Sequence, residues 1–308
     1  MKFLKLLLPV TALLSLAACD NTPEDPVYPK ATHLFFSDYS GQQVGVMDVN
    51  TLNTYDVVAN NADGLNNVSS MTVDFEGGKV YAVEELNNRI VRFNADGSGG
   101  LEVLFDESDS VDMPTSIALD LTTRTLYWGN SGTGQLKKGS MDGGTATSLY
   151  YDHEPVISYS YGLAIDTKRQ VVYYSDLDTY AGVWGAKLDG TGAPTLLVGH
   201  GSDPITCRNP SAIFYDGDAA RLYWADEGLN AISVTDFSNS KLLFNYEDDV
   251  SRADGISIDK GSGKVYWTET AAGKMLIARG SLDGTGDREA LLENVEAYSI
   301  ALKFEEPK

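Results

Sequence analysis

The sequence predicts an all-β chain in which six copies of a four-stranded antiparallel unit close into a ring. Three observations carry that prediction. A five-residue motif recurs six times at near-constant spacing, an apolar run closed by aspartate precedes five of the copies, and each end of the chain holds the part of a unit that the other end lacks.

The motif is an aliphatic residue, two largely aromatic positions, a small residue and an acid or amide. Its copies are Leu34-Phe35-Phe36-Ser37-Asp38, Val80-Tyr81-Ala82-Val83-Glu84, Leu126-Tyr127-Trp128-Gly129-Asn130, Val172-Tyr173-Tyr174-Ser175-Asp176, Leu222-Tyr223-Trp224-Ala225-Asp226 and Val265-Tyr266-Trp267-Thr268-Glu269. Their second positions are 46, 46, 46, 50 and 43 residues apart. A period of this length marks one supersecondary unit that must bury its apolar faces against its neighbours.

The preceding runs, such as Ile117-Ala118-Leu119-Asp120 and Ile256-Ser257-Ile258-Asp259, read as short leading strands that stop at a turn residue. After each motif come two further strand-like runs, joined by turns such as Asn94-Ala95-Asp96-Gly97 and Leu282-Asp283-Gly284-Thr285. Asp-Gly between strands is a hairpin signal. The first unit, from His33, has no leading strand, while Tyr298-Ser299-Ile300-Ala301-Leu302-Lys303 is a leading strand with no followers. Joining the ends completes a sixth unit and removes the open sheet edges of a linear array.

Side-chain sizes agree with a radial arrangement. A small residue stands before the apolar core of every leading strand, at Ser70, Ser116, Gly162, Ala212, Gly255 and Ser299. Innermost strands converging on an axis leave room for little else. The aromatic pairs farther out supply flat surfaces for the widening wedges between units, and the closing acid or amide offers acceptors to turn N–H groups. This is the plan of a six-bladed β-propeller over residues 32–308. A seven-bladed ring of the WD40 type is disfavoured, because its Gly-His and Trp-Asp markers do not recur.

The motifs resemble the YWTD repeats of the low-density lipoprotein receptor family from His33 to Phe304, most closely at Leu222-Asp226 and Val265-Glu269. Val80-Glu84 is the weakest copy, and Leu34-Phe35-Phe36 replaces the tyrosine. The resemblance implies six blades and a role in binding protein or peptide. Receptors of that family flank the propeller with cysteine-rich modules that this chain does not show, so the resemblance does not carry lipoprotein uptake.

Propellers bind at the mouth of the axial channel, where the inner strands begin. Aligning the leading strands puts Ser69, Thr115, Tyr161, Ser211, Asp254 and Tyr298 in one candidate ring there. Two tyrosines offer stacking and hydrogen bonding, and Asp254 is the single charge. Asp178, Glu227 and Glu269, after or within the motifs, are candidates for the rim of the same face. An enzymatic alternative is a metal-dependent lactonase, since propellers of the gluconolactonase and senescence-marker type are similar in outline. That chemistry needs carboxylate or amide oxygens from several blades. The ring offers only Asp254, and a one-position shift adds only Asn209. His33, His153 and His200 are scattered, no Gly-x-Ser-x-Gly elbow occurs, and Gly261-Ser262-Gly263-Lys264 reads as a hairpin turn rather than a phosphate loop. The expectation is a non-catalytic, monomeric binding or scaffold module for a protein, peptide or glycan, without cofactor or metal.

Forty-four acidic against 23 basic residues give a formal net charge of −21. Such a surface repels phosphate backbones, which sets nucleic acid aside, and attracts cationic partners.

Residues 1–18 combine Lys2 and Lys5 with an apolar run, the form of a secretory signal peptide. Leu16-Ala17-Ala18-Cys19 resembles the bacterial lipobox, which implies lipid on Cys19 and an envelope location. Lys5 and Pro9 interrupt the run, which is too short for a spanning helix. Residues 19–31 are polar and proline-rich and read as a tether. Asp20 resembles an inner-membrane retention signal, whereas acids soon after the cysteine resemble a surface-export signal, so the face stays open. With Cys19 lipidated, Cys207 is a lone thiol, expected to be buried and inert.

Overall fold

Alternating side-chain direction along a strand gives each motif two faces, and the fold uses both. The computed structural model describes residues 26–150, 159–177, 181–199, 207–245, 250–271 and 273–306. Residues 1–18, Cys19, His153, Asp178 and His200 lie outside them. Among the described residues there are six four-stranded antiparallel sheets and no α-helix, and no helix is long and apolar enough to cross a membrane.

Blade 1 is built from Ile300–Phe304 inside, then Ala31–Asp38, Gln43–Asp48 and Asp56–Asn60. The C-terminal strand pairs antiparallel with Ala31–Asp38, Leu302 opposite Leu34 and Ala301 opposite Phe35, so the ring closes as the sequence requires. The inner strands of blades 2 to 6 are Val68–Asp74, Pro114–Asp120, Leu163–Asp166, Pro210–Asp216 and Val250–Asp259. Their motif strands follow at Lys79–Glu84, Thr125–Asn130, Val171–Asp176, Arg221–Asp226 and Lys264–Ala271. The Asp-Gly hairpins join third and outer strands, with Gly284 at φ +81°, a left-handed conformation that suits glycine.

The core is six interblade clusters rather than one centre. Tyr223 packs into the cluster between blades 5 and 6, while its neighbour Trp224 packs between blades 4 and 5. Tyr266 and Trp267 divide in the same way between blades 6 and 1 and blades 5 and 6. Trp128, Trp224, Trp267, Tyr81, Tyr174, Tyr266 and Phe36 are fully buried. The outer strand of one blade also reaches the next. Phe105 stacks on Trp128 with ring centroids 5.1 Å apart, and a Cβ at Gly139 would lie 2.4 Å from the Phe105 ring. Near the axis, a Cβ on Gly162 would meet the Ser211 carbonyl at 2.4 Å, which accounts for the small residue there. Cys207 is fully buried between blades 4 and 5, and burial with the nearby Asp226 carboxylate pushes its thiol well above the usual range.

The acid or amide that closes the motif in blades 1, 2, 3 and 5 holds the connection entering its own blade. Asp226 accepts from the N–H groups of Arg208 (2.9 Å), Asn209 (3.1 Å) and Leu229 (3.1 Å). Asn130 accepts from Asp112 N–H, Glu84 from Asn66 N–H, and Asp38 from Gly41 and Glu296 N–H. Blade 6 differs. Glu269 reaches back to accept from the Trp267 indole at 2.6 Å and pairs with Arg288.

Two measurements check this account. Replacing Asp226 by alanine leaves three part-buried N–H donors without their acceptor, so Asp226→Ala should lose about 1–3 kcal/mol in urea unfolding; a loss under about 0.5 kcal/mol would show that Asp226 does not hold the connection. Cys207 should react with a thiol reagent only on unfolding, and rapid labelling at Cys207 in the native Cys19→Ser chain would contradict its burial.

Candidate functional site

The inner strands run from a mouth, where they begin, to a base, where their aspartates cap the turns into the motif strands. Asp74, Asp120, Asp166, Asp216 and Asp259 are buried at the base. Between the two ends lies a channel of about 280 Å³, lined by inner-strand residues of all six blades including Met71, Ile117, Leu163, Ile213, Ile256 and Ile300.

Two residues of the expected ring meet at the mouth. Tyr161 enters from blade 4 and Tyr298 from blade 1, on opposite sides of the ring, yet their rings lie parallel within 6° with centroids 6.0 Å apart. They therefore span the axis. Each is braced edge-on by a second tyrosine, Tyr159 against Tyr161 at 5.1 Å and Tyr39 against Tyr298 at 5.2 Å. All four rings are half-buried. The Tyr159 hydroxyl donates to Glu85 Oε1 at 2.5 Å, and the Tyr298 hydroxyl donates to Glu296 Oε1 at 2.8 Å. Glu296 also accepts from the Ser40 hydroxyl, and its carbonyl accepts from Tyr39 N–H. These donors are neutral, so the carboxylates bring negative charge to an aromatic floor.

The other four ring positions are buried. Ser69 Oγ donates to the Pro114 carbonyl of the next blade at 3.2 Å, and Ser211 Oγ donates to the Ala253 carbonyl of the next. Thr115 Oγ1 shares a hydrogen bond with Ser131 Oγ at 2.7 Å. Asp254 is buried beside Glu269, Glu296 and Tyr298. Of the rim candidates, Glu227 is half-buried with its N–H on the Asn209 carbonyl, and Asn209 is exposed. Glu269 is buried on Trp267 and Arg288 rather than standing at the rim, and its burial raises the carboxyl above the ordinary range. Among the described residues, no three of His, Cys, Asp or Glu are grouped so as to hold a metal ion.

The motif alignment did not single out Tyr39, Glu85, Tyr159 and Glu296. A signal for two of them was present. The residue after each motif forms its own register, Tyr39, Glu85, Ser131, Leu177, Glu227 and Thr270, and its first two members belong to the mouth. Tyr159 and Glu296 stand two residues before Tyr161 and Tyr298.

Burial, and then the hydrogen bond to Glu85, pushes the Tyr159 phenol up to about 12. The unfolded chain releases this proton near pH 10, so the folded protein holds it longer. The stability it supplies is complete below about pH 10 and is lost as pH rises toward about 12. Wild type should thus lose stability more steeply than Tyr159→Phe across that window in urea titrations; parallel curves would show that the phenol is not held.

No protein-family model matches the chain. In sequence it is similar to low-density lipoprotein receptor-related protein 1 of Pyricularia oryzae, 29% identical over 136 residues covering 38% of this chain and 43% of that protein. It is also similar to protein cueball of Aedes aegypti, 25% identical over 132 residues covering 41% of this chain and 20% of that protein. The chain thus spans less than half the length of these curated relatives. In structure it is similar to a chain of a nidogen/laminin complex, with TM-score 0.73 and 17% identity over 88% of this chain and 97% of that one. TolB from Acinetobacter baumannii gives 0.61 and 11% over 88% and 66%, and a streptogramin B lyase gives 0.54 and 16% over 84% and 73%. At these identities the likeness to solved structures is one of fold, and the chain is a six-bladed β-propeller whose repeats resemble the YWTD type.

Proposed function

We propose that this protein is an envelope-anchored lipoprotein, lipidated at Cys19, whose propeller mouth is a non-catalytic binding surface for a protein or peptide that presents a lysine or arginine side chain. The observation that carries the reading is the mouth itself, four half-buried tyrosine rings with Glu85 and Glu296 hydrogen-bonded to two of them. A cation over an aromatic face gains about 0.5–1 kcal/mol when exposed and about 2 kcal/mol or more when desolvated, and a carboxylate beside the ring adds a charged acceptor. The net charge of −21 favours encounter with basic partners at long range. A similar propeller occurs in a nidogen/laminin complex, which supports protein binding as a use of this fold. The lactonase-type reading is weaker, because Asp254, the one acid that the ring supplies, is buried.

The test uses synthetic hexapeptides bearing arginine or lysine and their glutamine counterparts, titrated into the mature chain. Basic peptides should bind in preference, and Tyr161→Ala or Glu296→Gln should weaken them roughly tenfold, about 1.4 kcal/mol. Equal affinity for the glutamine peptides, or calcium-dependent opening of a lactone, would sink the reading. The anchor has its own check: an alkyne-bearing fatty acid fed to cells should label the wild type and not Cys19→Ser, and label on both would place the lipid elsewhere.

A further inference from the structure

The segment before the propeller was expected to be a tether with nothing to bury, yet its last residues are fastened to the base. Ala31 N–H donates to Asp259 Oδ2 at 3.0 Å, and Glu305 N–H donates to the Lys30 carbonyl at 2.9 Å. The Pro29 carbonyl lies where a Cβ on Gly261 would be, 2.3 Å away, so glycine is required for the chain to pass. The half-buried Tyr28 ring sits 4.1 Å from Lys260 Nζ, and that ammonium is held by Asp216 at 2.9 Å and Asp218 at 2.6 Å. Beneath Tyr28 and Pro29, a cavity of about 310 Å³ is walled by Phe214, Tyr215, Ile258 and Phe304.

Asp216, Asp218, Lys260 and Gly261 belong to the ends and turns of the inner strands of blades 5 and 6, the end remote from Tyr161 and Tyr298. The polypeptide therefore leaves the disc at Tyr28 on the face opposite the mouth. From Cys19 to Tyr28 the chain reaches at most about 32 Å when fully extended. An inner strand such as Val68–Asp74, 7 residues, already spans about 20 Å, and a path to the mouth must also cross the four strands of a blade, about 14 Å more. The reach is too short.

We propose that the Tyr28–Lys260 latch fixes the orientation of the anchored molecule, so that the mouth points away from the membrane that holds Cys19 and engages a protein outside that membrane rather than its lipid. The proposal rests on the binding and lipid-anchor reading above. Its test does not need natural lipidation. The chain from Cys19 onward is coupled through that thiol to maleimide lipid in vesicles, Cys207 being buried. A fluorophore is carried on an azide-bearing side chain either at Leu86, which is 65% exposed at the mouth, or at Leu121, which is 45% exposed beside Asp120 at the base and takes no part in the latch. An energy acceptor in the outer leaflet should quench the Leu121 label at least severalfold more than the Leu86 label. Equal quenching, or stronger quenching at Leu86, overturns the proposal. Tyr28→Ala with Lys260→Met should narrow the difference, and an unchanged difference overturns the role of the latch. Titration of the basic peptides into the untethered chain is a separate readout, so failure of the binding reading leaves a different signature from failure of the orientation.

Discussion

The rest of the structure depends on one constraint, that every wedge between neighbouring blades be filled from both sides by a strand whose side chains alternate in direction. Adjacent aromatic residues on the motif strand meet that constraint directly. Tyr127 turns to the interface of blades 3 and 4 and Trp128 to that of blades 2 and 3, while Tyr173 and Tyr174 divide between blades 4 and 5 and blades 3 and 4. One dipeptide thus serves two clusters, and the repeat has no independent core. Each buried aromatic contributes on the order of a few kcal/mol through burial, and that contribution exists only when the neighbouring blade is present. Closure of blade 1 by the C-terminal strand follows from the same requirement, because an open ring would leave one wedge half filled.

A division of labour between adjacent residues connects this scaffold to its surface. The last residue of the motif is committed to structure: Asp38, Glu84, Asn130 and Asp226 hold the incoming connections through backbone N–H groups. Carboxylates so engaged are poor candidates for ligand chemistry. One position further along, the side chain leaves that duty and borders the mouth, Tyr39 half-buried against Tyr298 and Glu85 buried beneath the Tyr159 hydroxyl. Variation at that position changes what the mouth presents without loosening the ring. The serines near the axis act in a third way. Ser299 Oγ donates to the Met71 carbonyl, and with Ser69 and Ser211 it ties inner strands of neighbouring blades together around the channel.

The candidate ring was legible in part, and the reason lies in the backbone. Tyr161 and Tyr298 reach the opening as the alignment anticipates, whereas Ser69, Thr115, Ser211 and Asp254 are buried. The pairing of inner and motif strands shifts register between Val68 and Ser70, Pro114 and Ser116, Pro210 and Ile213, and Ala253 and Ile256. Each of the four misdirected residues falls inside one of those irregularities. A bulge re-aims the side chains it contains, and period-two reasoning cannot see it because the residue types on either side are unchanged.

The sequence by itself determined the number of blades, the closure of the ring by its own C-terminus, the small residues at the axis and the aromatic filling between blades. Those features follow from spacing, size and alternation, which are properties of residue order alone. Only the tertiary structure decided that tyrosines from opposite blades meet across the axis, that Glu85 and Glu296 join them, and that Tyr28 is latched to Lys260 at the base. Most of these contacts unite residues far apart in the chain, and their geometry is set by strand tilt and bulges that emerge once all six wedges are packed at the same time.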